Sequence, residues 1–164
     1  MNIEYIIYKS PIGNIYIAAD GEGICRIDLF EEHWNGFTAK NAVSLNTENE
    51  LCGKTQKELE EYFQGNRREF QVPLSLKGTE FQKSVWNALL EIPYGETRSY
   101  KQIAESIGKP KAVRAIGQAN RVNQLPIIIP CHRVIGANGS MVGYAGSKIH
   151  VKKKLLKLEG LKVE

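Results

Sequence analysis

The chain has 164 residues, 42% of them hydrophobic and 24% charged, which suits one ordinary domain or two small ones with a core that needs no staples. No stretch is both apolar and long enough to span a bilayer. The acidic start Met1-Asn2-Ile3-Glu4-Tyr5 lacks the charged-then-apolar pattern of a secretion signal, so a soluble, cytoplasmic protein is expected. Three cysteines, Cys25, Cys52 and Cys131, are odd in number and too widely spaced for a disulfide framework. No C-x-x-C or H-x-x-x-H pair offers a zinc site. The net charge of +4 hides a split: residues 1–76 hold 7 Lys/Arg and 12 Asp/Glu, a net of −5, and residues 77–164 hold 15 and 6, a net of +9. A second half this basic suggests a polyanion partner. A solvated lysine surface is the plainer alternative, and the Lys152-Lys153-Lys154 run fits it.

In chain order, residues 3–8 and 14–19 are predicted strands around the turn Ser10-Pro11-Ile12-Gly13, and Gly21-Glu22-Gly23 leads into a third strand over 24–30. Together they make an antiparallel meander. Residues 31–49 are polar and mixed and read as a loop. Leu51, Leu59, Tyr62 and Phe63 recur at helical spacing over 50–63. Gly65-Asn66 stops that helix, and 69–74 reads as a short strand stopped by Pro73. Lys77-Gly78 marks the boundary between a domain of residues 1–76 and one of residues 77–164.

Thr79 can cap a helix with apolar residues Phe81, Val85, Trp86, Leu89 and Leu90, broken by Pro93-Tyr94-Gly95. Ser99 can cap 100–107, closed by Gly108. Pro110 suits the start of the next helix, which runs to about Asn120. Helix, short Gly-containing turn, helix is the shape of a helix-turn-helix, although many helical hairpins share it. Small residues Ala112, Ala115 and Gly117 on the second helix, with Lys111, Arg114 and nearby Arg121, would let its backbone approach a DNA groove; packing against a neighbouring helix explains them equally. Residues 125–129 read as a buried apolar strand ended by Pro130, and 133–135 as another short strand. A loop over 136–143 precedes a last helix at about 148–158.

The chemistry lies in Pro130-Cys131-His132-Arg133. A cysteine attacks as its thiolate, so a nearby base or positive charge must take up or offset its proton. Neighbours on a regular strand point to opposite faces, but Pro130 breaks that regularity and lets the two side chains converge. An isolated Cys-His pair also reads as a buried structural cysteine beside a surface histidine. Glu159 shares a helix face with Leu155 and Leu156, where a carboxylate needs a partner. Glu159, His132 and Cys131 then have the logic of orienter, base and nucleophile. If the helix ends near Leu158, Glu159 is merely solvated.

Ile129-Pro130-Cys131-His132-Arg133-Val134 closely resembles the reactive-site signature of the O6-alkylguanine-DNA alkyltransferases, the methylated-DNA–protein-cysteine methyltransferases. Gly95-Glu96-Thr97-Arg98-Ser99-Tyr100 through Gln102-Ile103-Ala104 is similar to the first helix of their helix-turn-helix, and Arg114-Ala115-Ile116-Gly117 to their recognition helix. Asn123 falls where the family keeps an active-site asparagine. Val142-Gly143-Tyr144-Ala145-Gly146 resembles their pocket loop, and Leu155-Leu156-Lys157-Leu158-Glu159 their closing helix. The resemblance covers about residues 78–160. The first 76 residues agree only in strand pattern with the family's ribonuclease H-like domain.

The resemblance implies an α/β fold, with an N-terminal ribonuclease H-like domain of antiparallel strands and a C-terminal winged helix-turn-helix-like alkyltransferase domain. It implies binding of double-stranded DNA in the minor groove, with salt-dependent phosphate contacts and extrusion of an alkylated guanine from the stack. Arg114 would fill the vacated space, with Ala112, Ala115, Gly117 and Arg121 at the DNA. Tyr100 would hydrogen-bond the flipped base. Carbonyls of Cys131 and Val134 would accept from its exocyclic amine, the Ala145 N–H would donate to O6, and Tyr144 would line the pocket. His132, oriented by Glu159, would take the thiol proton through water, and the thiolate would attack the alkyl carbon. The thioether product cannot be undone, which implies one turnover, as a monomer, without cofactor. O4-alkylthymine is a second conceivable lesion.

There are departures. Ala145 stands where the family often has Ser, and Gly146-Ser147-Lys148-Ile149 replaces a Gly-Gly-Leu run with one extra residue. Cys25 and His33 do not rebuild the zinc site of some members, so no metal is expected. Two rivals stand: a DNA-binding regulator without chemistry, and a cysteine hydrolase built on Cys131, His132 and Glu159 or Asn123.

Overall fold

The first half builds outward from a hairpin. β1 (Ile3–Ser10) pairs antiparallel with β2 (Gly13–Ala19) in the register Ser10↔Gly13 to Glu4↔Ala19, and β2 pairs antiparallel with β3 (Ile24–Asp28) across a bulge at Ala18/Ala19. The computed structural model describes residues 2–139 and 148–163; Tyr144 and Ala145, expected at a pocket, lie outside them. Two units are separable, residues 1–77 and 78–164.

Residues 31–49 are not a loop. They form α1 (Glu31–Thr38) and β4 (Val43–Leu45), and β4 adds to β1 in parallel, giving the sheet order β3-β2-β1-β4. Glu31 and Glu32 in the first turn of α1 complement its dipole. Its anchor is Trp34, buried and stacked on Tyr16 at 5.1 Å with Tyr5 beside it. One buried residue in a polar stretch leaves almost no periodicity to read. Alternate residues of β2 serve two sides: Tyr16 and Ala18 join Trp34 and Cys25 in one cluster, while Ile15 and Ile17 point away from it. α2 (Glu50–Phe63) carries the buried stripe Cys52, Thr55, Leu59 and Tyr62, and the Cys52 thiol reaches the Ile17 carbonyl at 3.5 Å.

The strand expected over 69–74 shrinks to one bridge, Ile24↔Leu74. Pro73 has no N–H to give a ladder, and Gln71 N–H donates to Glu58 rather than to a strand. The backbone still closes on β3, with Ile24 N–H on the Pro73 carbonyl and Ser75 N–H on the Ile24 carbonyl. Gly23 permits this approach: a Cβ there would sit 2.6 Å from the Pro73 oxygen.

In the second unit α3 (Glu80–Leu90) and α4 (Tyr100–Ser106) both start on capping boxes, Thr79/Gln82 and Ser99/Gln102. Between them lies β5 (Arg98–Ser99). The next helix, α5 (Val113–Arg121), begins three residues later than Pro110 suggested. Pro110 and Lys111 sit in the turn, and Ala112 is an N-cap with no side-chain cap bond. Trp86 Nε1 donates to the Ala119 carbonyl at 2.9 Å and ties α3 to α5.

The apolar run 125–129 is a folded loop rather than a strand. Asn123 shapes it: Oδ1 accepts from Leu125 N–H at 2.9 Å and Nδ2 donates to the Ile129 carbonyl at 2.8 Å. Ile129 N–H also closes on the Leu125 carbonyl. Ile127 takes φ of 76°, costly for a β-branched residue, and burial of Leu125, Ile127, Ile128 and Ile129 offsets it. Hydrophobicity alone cannot tell this loop from a buried strand. A 3-10 turn (Cys131–Arg133), β6 (Val134–Ile135), which pairs with β5, and α6 (Ile149–Leu158) complete the unit.

Trp34→Ala should lower the stability of the protein by about 3–5 kcal/mol, the usual cost of emptying a buried aromatic site. Urea denaturation followed by circular dichroism checks this; a loss under 1 kcal/mol would show that α1 is not pinned by Trp34.

Candidate active site

Pro130, with ψ of 65°, ends the loop, and the chain tightens at once into the 3-10 turn. Arg133 N–H closes the turn on the Pro130 carbonyl at 2.9 Å, and Cys131 N–H bonds the Ile129 carbonyl at 2.7 Å. Tight winding puts Cys131, His132 and Arg133 in the interior together, at 4, 0 and 5% exposure.

Glu159 does not trail into solvent. It is the C-cap of α6 and is buried. A carboxylate there meets two penalties, desolvation and the negative end of the helix dipole. Four hydrogen bonds answer them. His132 Nε2 lies 2.6 Å from Oε2, Arg133 Nε donates to Oε1 at 2.8 Å and Nη2 to Oε2 at 3.1 Å, and Gly95 N–H donates to Oε1 at 3.1 Å. Gly95 holds φ of +80° and approaches the Glu159 carbonyl closely enough that a Cβ would stand 3.2 Å from it. Arg133 Nη1 donates to the Ile92 carbonyl at 2.7 Å, and its guanidinium lies 5.7 Å from the Tyr94 ring centroid.

Arg133 is the member of this network that the sequence did not single out. Its charge balances Glu159 before His132 does. Burial pushes the His132 pKa down, the Arg133 and Lys152 charges add to that, and Glu159 restores only part of the loss, which favours the neutral imidazole. Its proton belongs on Nε2, facing Glu159, which leaves Nδ1 as the basic nitrogen. Nδ1 is buried and has no hydrogen-bond partner among the described residues.

Lys152, placed by the sequence in a solvated lysine run, is fully buried. It lies one turn before Leu155 and Leu156, so the face of α6 that carries Glu159 takes it inward as well. Its ammonium donates to the Val134 carbonyl. Burial lowers its pKa to about 8, with Cys131 acting in the opposite direction. Cys25 and Cys52 lack such a setting, and burial pushes their thiols up to about 11 and about 12.

Tyr100, the first residue of α4, is buried; burial and the Cys131 charge raise its hydroxyl to about 12, while Asn120 and Arg121 act to lower it. Val134 is buried, with its carbonyl taken by Lys152, though a carbonyl has a second lone pair. Asn123 is engaged in the loop before Cys131 and bonds backbone atoms there. Arg114, Ala115 and Arg121 lie exposed on α5, and Ala112 and Gly117 half-buried. Arg114 and Arg121 are seven residues apart and share a face. Among the described residues no group of three or more His, Cys, Asp or Glu is placed to hold a metal, and no helix there is long and apolar enough to cross a membrane.

Two family models match the chain: the 6-O-methylguanine DNA methyltransferase ribonuclease-like domain over residues 3–76 and the DNA-binding domain of the same name over residues 80–161. The methylated-DNA–protein-cysteine methyltransferase of Methanosarcina acetivorans is 51% identical over 160 residues, covering 95% of this chain and 97% of that protein. The constitutive enzyme of that name from Bacillus subtilis is 48% identical over 157 residues, covering 94% of each. The Mycobacterium tuberculosis protein OGT, solved in complex with DNA, superposes with a TM-score of 0.85 at 44% identity, covering 95% of this chain and 92% of that one. With its cysteine-histidine-glutamate geometry and both halves matched, the chain belongs to the 6-O-methylguanine DNA methyltransferase family.

Proposed function

We propose that this protein repairs DNA by moving an alkyl group from O6 of a damaged guanine in duplex DNA to Cys131, once per molecule. The observation that carries this reading is the buried contact of His132 Nε2 with Glu159 at 2.6 Å, in the turn that holds Cys131. It supports Nδ1 as the imidazole nitrogen that serves as base.

The proton leaves the Cys131 thiol for His132 Nδ1, through water. The imidazolium so formed is stabilised by Glu159, whose position the Arg133 guanidinium and Gly95 N–H hold. The thiolate then attacks the alkyl carbon in line with the C–O6 bond. A sulfur–carbon bond forms, the carbon–oxygen bond breaks, and the electron pair passes to the purine. Donors aimed at the base favour this state over the ground state. The Tyr100 hydroxyl is assigned to that role, and the Val134 carbonyl to the exocyclic amine. Lys152 keeps the Val134 carbonyl in place and sets a positive charge near the developing thiolate. The thioether is a poor leaving group, and no step restores the thiol. No cofactor enters the scheme.

The exposed face of α5, with Arg114, Ala115 and Arg121, is the surface assigned to DNA. Its first turn has no side-chain cap, so N–H groups beyond Ala112 are available to phosphate. Arg114 is assigned to the space left by the extruded base. We infer that residues 77–164 bind and react while residues 1–76 support them, that the protein works as a monomer, and that it does so in the cytoplasm with the DNA.

Incubation with a duplex containing O6-methylguanine should add one methyl group to the intact mass, localised to Cys131 and absent in Cys131→Ala. Turnover of excess substrate would instead favour a cysteine hydrolase, and DNA binding without mass gain a regulator. Arg114→Ala should slow repair of duplex lesions by about tenfold or more while leaving reaction with the free base within about twofold; equal losses would make Arg114 a support of the fold. Lys152→Met should stabilise the protein at pH 7. The native ammonium has a folded pKa of about 8, below its unfolded value, so the unfolded chain binds the proton more tightly and protonation favours unfolding. The same variant should slow alkyl transfer by about tenfold. Thermal melts at pH 7 paired with single-turnover rates check both signs, and an unchanged rate would remove Lys152 from the site.

A further inference from the structure

Asn120 is buried to 2% exposure in the last turn of α5, the helix assigned to DNA, and neither its Nδ2 nor its Oδ1 completes a hydrogen bond among the described residues. Its carboxamide stands toward the Tyr100 hydroxyl, near enough to offset part of the burial cost of that phenol but without the geometry of a completed hydrogen bond. The surroundings hold it there. Trp86 Nε1 pins the carbonyl of the preceding residue, Ala119. One turn earlier, Gly117 leaves room for the Tyr100 ring, whose Cε1 would lie 3.9 Å from a Cβ on that residue. Cys131 is near enough to the Tyr100 hydroxyl to help raise its pKa.

An unpartnered buried carboxamide costs a folded protein about 1–3 kcal/mol, and an apolar residue of the same size would avoid that cost. A state that brings the carboxamide into full hydrogen-bonding distance of the Tyr100 hydroxyl would remove that cost. An interaction absent at rest and made during reaction lowers the barrier rather than the ground state.

We propose that Asn120 is a positioning residue for the alkyl transfer: its Nδ2 donates to the Tyr100 hydroxyl oxygen as that hydroxyl donates its own proton to the extruded base. The amide then presents nitrogen, not oxygen, to the phenol, because the phenol proton is committed to the base. As negative charge spreads over the departing purine, the hydrogen bond from Tyr100 strengthens. Charge drawn onto the phenol oxygen is met by the Asn120 N–H, with the Arg121 guanidinium adding a field of the same sign. α5 would thereby touch the DNA with its outer face and tune the reacting site with its inner one. The inference rests on the reading of Tyr100 as a contact to the base.

A double-mutant cycle tests it, with single-turnover methyl transfer from a lesion duplex, duplex affinity and melting temperature measured for each variant. Asn120→Leu should slow transfer about tenfold, leave affinity for undamaged duplex unchanged, and not lower the melting temperature. In a Tyr100→Phe background the same substitution should cost less than twofold, because the hydroxyl it serves is gone. Equal slowing in both backgrounds, or none in either, overturns the proposal while leaving Tyr100 in its role. If Tyr100→Phe alone does not slow transfer, the reading of Tyr100 fails first and the proposal with it. Should Asn120→Leu not fold, Asn120→Ala runs the same cycle.

Discussion

A carboxylate buried at the wrong end of a helix dipole is the constraint around which the second unit is organised. Glu159 caps α6 where carbonyl groups already carry partial negative charge. It is stable there only because Arg133, His132 and the Gly95 backbone converge on it. Each demands something of the chain. Arg133 and His132 must be adjacent yet both inward, which a 3-10 turn allows and a strand does not. Gly95 must take positive φ. The turn then carries Cys131 into the interior with His132 and Arg133. Removing one partner of such a set leaves a buried charge exposed to the full desolvation cost.

Chemistry follows from the same balance. His132 and Arg133 share one carboxylate. Burial lowers the His132 pKa, Glu159 opposes that, and the Arg133 and Lys152 charges add to it. Lys152 adds a second buried cation, on the Val134 carbonyl. Such groups cost stability and are the kind a folded core tolerates for function.

α5 and the turn that holds Cys131 are joined by a short path. α5 ends at Arg121, Asn123 brackets the loop that follows, and the loop enters Pro130 and the turn. Asn120 on α5 lies close enough to Tyr100 on α4 to act on its hydroxyl. One loop thus separates the end of α5 from Cys131.

Adjacent chemistry was legible in the sequence. Cys131 and His132 are neighbours, Pro130 announces a break, and Glu159 falls on the Leu155-Leu156 face, so spacing offered the three as a candidate set beside plainer structural readings, and the helix starts after Thr79 and Ser99 followed from their capping side chains. What composition hid was burial. α1 carries one anchoring tryptophan in a polar stretch, the apolar run after Asn123 folds as a loop because its hydrogen bonds run to side chains and to itself, and Lys152 looks like its solvated neighbours. Arg133, Lys152 and Asn120 acquire their meaning from atoms distant in sequence. A pattern of residue types records which side chains can meet along one element; which charge is balanced by which, and which polar group is left waiting, is decided only when separate elements close on one another and exclude water.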